Sequence, residues 1–135
     1  MPAIVWSEKL SIGIQSIDVQ HRKIVDMIND LQEAMTKGKS KEVLGKIFDD
    51  LVSYTAVHFG YEEKLFLTHG YSDSAAHKKE HEDLVNKALD LQKKYKGGNL
   101  MISLETLDFL GDWLKKHIQG TDRKYSAYMI TKGVR

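Results

Sequence analysis

His58 and Glu62 stand four residues apart, and so do His77 and His81. Four residues advance an α-helix by about 400°, so each pair projects in one direction from adjacent turns. That spacing suits two ligands of one metal ion. Taken singly, His58 and Glu62 would serve as well as a surface ion pair, and His77–His81 is a weak metal pair. The residues around the first pair separate these readings. Leu44, Phe48, Leu51, Thr55, His58, Glu62 and Leu65 step by 4, 3, 4, 3, 4 and 3 residues, the repeat of a helix face buried in a bundle. A buried seam does not hold a carboxylate and an imidazole without a partner for them.

Three further seams carry histidine. One runs His21, Ile24, Ile28, Leu31, Met35; another His77, His81, Leu84, Ala88, Leu91, Tyr95; the last Leu107, Leu110, Leu114, His117. A lone histidine in such a place is ordinarily a satisfied core residue, so height along the bundle has to decide. At ~1.5 Å per residue, His21 and His58 both lie roughly 25 Å below a turn at 38–40. His77 and His81 lie roughly 23–30 Å, and His117 roughly 20 Å, below a turn at 97–102. All five fall in one layer. Asp122 belongs to it as well, but follows His117 by five residues, which an ideal helix would place about 140° away. A π-type widening or a helix end near Gly120 is therefore expected. His69, the sixth histidine, sits at a helix end outside the layer and is read as structural, its imidazolium suited to the helix dipole.

The elements that must position these residues are four helices. Asp18 is read as the N-cap of the first, over 19–37, which Gly38 ends; Ser40 caps the second, over 41–68, closed by His69-Gly70. Asp73 or Ser74 starts the third, over 74–96, ended by Gly97-Gly98, and Ser103 caps the fourth. The only proline is Pro2, so nothing later forbids long helices. Residues 1–17 are apolar without helical period, including Trp6 as a packing residue, and read as an extended arm. The fold expected is all-α: a single domain over 1–135, with the arm at 1–17 and an up-down-up-down antiparallel four-helix bundle at 18–121. A tail at 122–135 is expected to add a short C-terminal helix.

Composition narrows the function. A formal net charge of +1 with 29% charged residues gives no electrostatic reason to expect nucleic acid or an anionic membrane. The absence of cysteine excludes disulfides, thiolate metal sites and thiol catalysis. No apolar run approaches the ~18 residues of a membrane span, and the first residues have no basic leader, so a soluble cytoplasmic protein, most simply a monomer, is expected.

Five imidazoles and two carboxylates suit iron, manganese or zinc, and seven ligands are too many for one ion. If both carboxylates bridge, the donors fill all but one position of two octahedral ions sharing a solvent-derived oxygen. One open position is the arrangement of a small-ligand binder, for which dioxygen is the natural candidate. Ile24, Phe59, Leu114 and Ile118 flank the ligands with apolar bulk, and Trp113 lies near. No spare acid, lysine or thiol is committed to the layer as a general acid or base, so binding is expected and not turnover. Two enzymes compete with this reading. His77-Lys78-Lys79-Glu80-His81 fits the H-x-x-E-H signature of a zinc hydrolase, but Glu80 would turn off the seam into solvent, and His21, His58 and His117 would go unused. A ferritin-like oxidase needs two Glu-x-x-His pairs, and the sequence has none.

The same residues give the chain its resemblance to the hemerythrins, in particular to single-domain bacterial ones. The matching motifs are Asp18-Val19-Gln20-His21, His58 to Glu62 with a second Glu63, His77 to His81, and Trp113-Leu114 through His117-Ile118 to Asp122, followed by Tyr125. The resemblance covers nearly the whole chain and all seven ligand positions. It implies a non-haem di-iron centre with a bridging oxo or hydroxo group. His77, His81 and His117 would be on the coordinatively full iron, His21 and His58 on the iron with the open position, and Glu62 and Asp122 would bridge. It implies an oxygen pocket lined by Ile24, Phe59, Trp113, Leu114 and Ile118, and reversible oxygen transport or storage. A carrier of this kind would pass its dioxygen to a recipient, for which an unidentified protein is one candidate. Relatives that act as oxygen or redox sensors, or handle iron or nitric oxide, keep those alternatives open.

Overall fold

The computed structural model describes residues 5–96 and 104–134, and helices account for nearly all of them. Helix α1 spans Gln15–Thr36, α2 Lys41–His69, α3 Ser74–Lys96 and α4 Leu104–Lys116. A π-helical segment, His117–Asp122, carries α4 directly into α5, Arg123–Thr131. The four long helices form the up-down-up-down bundle, with α2 between α1 and α3, and α4 against α1. Among the described residues there is no strand.

Local chemistry accounts for the ends that hold the site at its height. Ser40 accepts the amide of Val43, capping α2. Gly70 closes α2 at φ +66°, a left-handed conformation that glycine adopts without a Cβ clash. The expected Gly97-Gly98 and Ser103 ends lie outside the described residues, as does the side chain of Tyr95.

Three expectations are corrected, two on the helices and one on the arm. The first helix begins at Gln15, and Asp18 lies within its first turn; Ile14 occupies the cap position and offers no side-chain acceptor. The Asp18 carboxylate instead accepts the Ser11 hydroxyl at 2.5 Å and the Ile12 amide at 2.9 Å. It ties the arm to the helix, and its charge still sits favourably at the positive end of the dipole. On α2, Leu65 is only half-buried, and Phe66, four residues after Glu62, takes the inner position at 2% exposure.

The arm packs as an apolar strap. Leu10, Ile12 and Ile14 enter the core, followed by Ile17 from the first turn of α1, each burial contributing roughly 1.5–3 kcal/mol. A 3-10 turn at Glu8–Leu10 interrupts the extended course, so the arm is not extended throughout. Trp6 packs half-buried against the core, with the Arg22 guanidinium 5.0 Å above its ring. Arg123 donates to the carbonyls of Lys9 at 2.5 Å and Ser11 at 3.3 Å, fastening the arm beside the end of the π segment.

Candidate metal centre

Each helix delivers its share of one buried layer. His21 comes from α1, His58 and Glu62 from α2, and His77 and His81 from α3, while His117 and Asp122 open and close the π segment. All seven side chains are buried, none more than 3% exposed. The five-residue step from His117 to Asp122 is accommodated as a π segment, whose wider turn brings residues five apart onto one face. His117 Nε2 and Asp122 Oδ1 consequently lie 3.1 Å apart.

The two carboxylates stand between two groups of imidazoles. Asp122 Oδ1 is 2.9 Å from His77 Nε2, and its Oδ2 is 3.1 Å from His21 Nε2. Glu62 Oε1 is 3.0 Å from His58 Nε2 and 3.4 Å from His81 Nε2. His117 Nε2 is also 3.2 Å from His77 Nε2 and 3.1 Å from His81 Nε2. Two clusters with metal-binding spacing result: His77, His81, His117, Asp122 and Glu62 in one, His21, His58 and Glu62 in the other.

These residues fit a pair of metal ions on their own geometry. His21 Nε2, His58 Nε2, Glu62 Oε1 and both Asp122 oxygens are buried without a hydrogen bond, although each approaches another polar atom. A buried polar atom left so costs about 1–3 kcal/mol. With the Nδ1 atoms of His81 and His117 turned to the carboxylates of Glu63 and Glu80, neutral rings bring two Nε2 lone pairs face to face at 3.1 Å. Ligands about 2.1 Å from one ion and at right angles lie roughly 3.0 Å apart, close to the separations here.

Charge follows the same arrangement. Burial and the Asp122 charge push the Glu62 carboxyl up, but the close approach of the His58 and His81 rings outweighs them and holds it at about 2. Burial likewise raises Asp122, yet its contacts with His117, His21 and His77 hold it well below the usual carboxylate range. Burial keeps His58 below its ordinary value, and so favours the neutral ring a metal requires. For His117 burial acts downward, but Asp122 prevails and raises it. Burial, with the Glu62 and Asp122 charges, pushes the Tyr125 phenol far up, so it remains a donor.

Several residues behind the layer were not assigned roles from the sequence. His58 Nδ1 donates to Gln20 Oε1 at 2.6 Å, and His81 Nδ1 to Glu63 Oε2 at 3.2 Å. His117 Nδ1 faces Glu80 Oε1 at 3.4 Å, and Glu80 also accepts the Thr121 hydroxyl at 3.0 Å. Such acceptors fix the tautomer and leave Nε2 free to ligate. Glu80 was expected in solvent; although its side chain is 47% exposed, its carboxylate turns back onto His117. Tyr125 donates to Glu62 Oε2, leaving Oε1 to the imidazoles. Gln20, Glu63 and Tyr125 all stand in the matching motifs, and that adjacency was the available signal.

The aromatic neighbours lie flat on the histidines. Phe59 stacks on His81 with centroids 3.8 Å apart, and Trp113 on His117 at 4.4 Å. Phe59, Trp113, Ile24 and Leu114 also line a cavity of about 40 Å³ that runs from the layer toward the 38–40 turn, between Phe48, Leu51, Leu84 and Leu110. Its one hydroxyl, on Thr55, is committed to the Leu51 carbonyl at 2.8 Å. Ile118, fully buried, belongs to the core and does not line this cavity. His69 stands apart from the layer, its carbonyl accepting the Tyr128 hydroxyl.

A four-helix bundle enclosing a histidine and carboxylate layer of this kind defines a class of metal-binding protein. The hemerythrin HHE cation binding domain matches residues 12–128, and the chain belongs to the hemerythrin family. It is 38% identical to a bacteriohemerythrin of Stenotrophomonas maltophilia over 93% of its length and 81% of the relative's. It is 37% identical to a bacteriohemerythrin of Methylococcus capsulatus over 93% and 95%. A crystal structure of wild-type hemerythrin superposes with a TM-score of 0.88 at 36% identity, over 92% of this chain and 95% of that one.

Proposed function

We propose that this protein binds dioxygen reversibly at a di-iron centre held by His21, His58, Glu62, His77, His81, His117 and Asp122. The observation that carries the reading is the division of the buried layer into a three-histidine and a two-histidine group, both in contact with Glu62 and Asp122. His77, His81 and His117 would hold one iron and His21 and His58 the other, with Glu62 and Asp122 within reach of both. Such an iron pair, when bound, would supply the reversible electron transfer that dioxygen binding needs.

The chain's own residues set the conditions for that reversibility. Ile24, Phe59, Trp113 and Leu114 present hydrocarbon and ring faces to the site and exclude water. The Thr55 hydroxyl is already bonded, so it adds no proton source to the cavity wall. The Tyr125 hydroxyl donates a hydrogen bond to Glu62 Oε2, while Oε1 faces the imidazoles, and so steadies the carboxylate. No acid or base lines the cavity, which favours capture and release over chemical turnover.

Among the described residues no helix is long and apolar enough to cross a membrane. Our reading is of a cytoplasmic monomer that carries or stores oxygen for a protein recipient. Iron counting with an optical spectrum through reduction, oxygenation and deoxygenation tests it. Two irons per chain, with a colour that comes with oxygen and goes without it, are expected. One-way oxidation would replace the carrier with a sensor or redox role, and a single colourless zinc would reopen the hydrolase.

A further inference from the structure

The two groups of histidines differ in what stands behind them. His81 and His117 face carboxylates through Nδ1, Glu63 at 3.2 Å and Glu80 at 3.4 Å. His58 faces the neutral amide of Gln20 at 2.6 Å, and one histidine in each group, His21 and His77, has an Nδ1 that meets no protein acceptor. A carboxylate draws on the Nδ1 proton and makes Nε2 a more electron-rich ligand, whereas an amide orients the ring without adding charge. The negative charge behind the layer is therefore confined to the three-histidine side.

We propose that Glu63 and Glu80 are positioning residues that make the three-histidine metal the more easily oxidised of the two. Gln20 correspondingly keeps the two-histidine metal, where oxygen would bind, from being held in the ferric state. The inference rests on the di-iron reading. In the step concerned, one ferrous ion becomes ferric and its electron passes to a one-electron acceptor. The Nδ1 proton stays on the histidine, shared more closely with its carboxylate. Added negative charge favours the more highly charged product. Glu63 should act more strongly than Glu80, because it is nearer its histidine and its side chain is 26% exposed against 47%.

Redox titration with mediator dyes, on iron-loaded wild type and on Glu63→Gln, Glu80→Gln and Gln20→Glu, tests this. Iron counts and rates of iron release to a chelator accompany each titration. Glu63→Gln is expected to shift the ferric/ferrous equilibrium about tenfold toward ferrous, about 59 mV for one electron. Glu80→Gln should shift it the same way by less, and Gln20→Glu the opposite way. Glu63→Gln should also hold iron roughly 10–100-fold more weakly. Loss of packing alone would not give shifts of opposite sign. Unmoved potentials, or the same sign in Glu63→Gln and Gln20→Glu, with two irons retained, would overturn the inference. If a glutamine variant sheds its iron, the sign of the Gln20→Glu shift decides alone. A wild type that takes up no pair of irons would overturn the di-iron reading itself, a separate result.

Discussion

The lower and upper halves of the bundle interior share their helices and their seam spacing, yet solve opposite problems. Toward the 38–40 turn the inner residues are Ile28, Leu31, Phe48 and Leu51, which need only one another. A few turns on, the same faces of α1 and α2 present His21, His58 and Glu62, which are buried to the same degree and cannot satisfy one another by hydrogen bonds. One half is stabilised by burial itself. The other is stabilised by what it binds, and its bare polar atoms are a local cost until that happens. The same helices run through both halves, so the apolar half holds the ligand layer in shape.

The sharpest way to break the comparison is at Asp122, whose two oxygens face both groups of histidines. Asp122→Ala should lose both irons, while His58→Ala should chiefly empty the oxygen-binding position and abolish stable oxygen binding; iron counts and oxygen spectra distinguish them. Removing iron with a chelator should come next in effect. Amide exchange is expected to accelerate around His58, His77 and the π segment, and to change much less around Phe48 and Leu51. Phe48→Ala probes the other half: a loss of about 3–5 kcal/mol in denaturant unfolding, with the iron count unchanged. His69→Ala, outside both halves, should change stability by about 0.5 kcal/mol or less and leave oxygen binding intact.

Much of this was legible in the chain because a buried helix face repeats at a fixed interval. The 3- and 4-residue steps through His58 and Glu62 place them inside, and equal distances from the turns place five histidines in one layer. The five-residue step to Asp122 was itself the signal for the π segment, because no α-helix could use both residues. Glu80 was not legible. It lies three residues beyond His77, off the seam, and its contact with His117 depends on how α3 is rotated against a segment 37 positions further along. Periodicity carries no information about that rotation. Asp18 misled for the reverse reason: a local cap rule was overridden by Ser11 and Ile12, which the folded arm brings to its carboxylate. Leu65 and Phe66 show the remaining ambiguity, since a seam that may step by three or four leaves adjacent apolar residues to be settled by packing.

The π segment has a consequence for how the sequence tolerates insertion and deletion. Gly120 is exposed, and a methyl group placed on it would meet nothing within 4 Å, so substitution there is cheap. Deletion is another matter. Removing one residue would return the segment to an ordinary helical count, but would turn everything after it by about 100°. Tyr125 would swing out from beneath Glu62, Met129 would leave the core, and Arg123 would lose the carbonyls of the arm. The segment works as a phase shifter between two stretches of one helix, so its length is constrained far more tightly than the identity of its outward-facing residues.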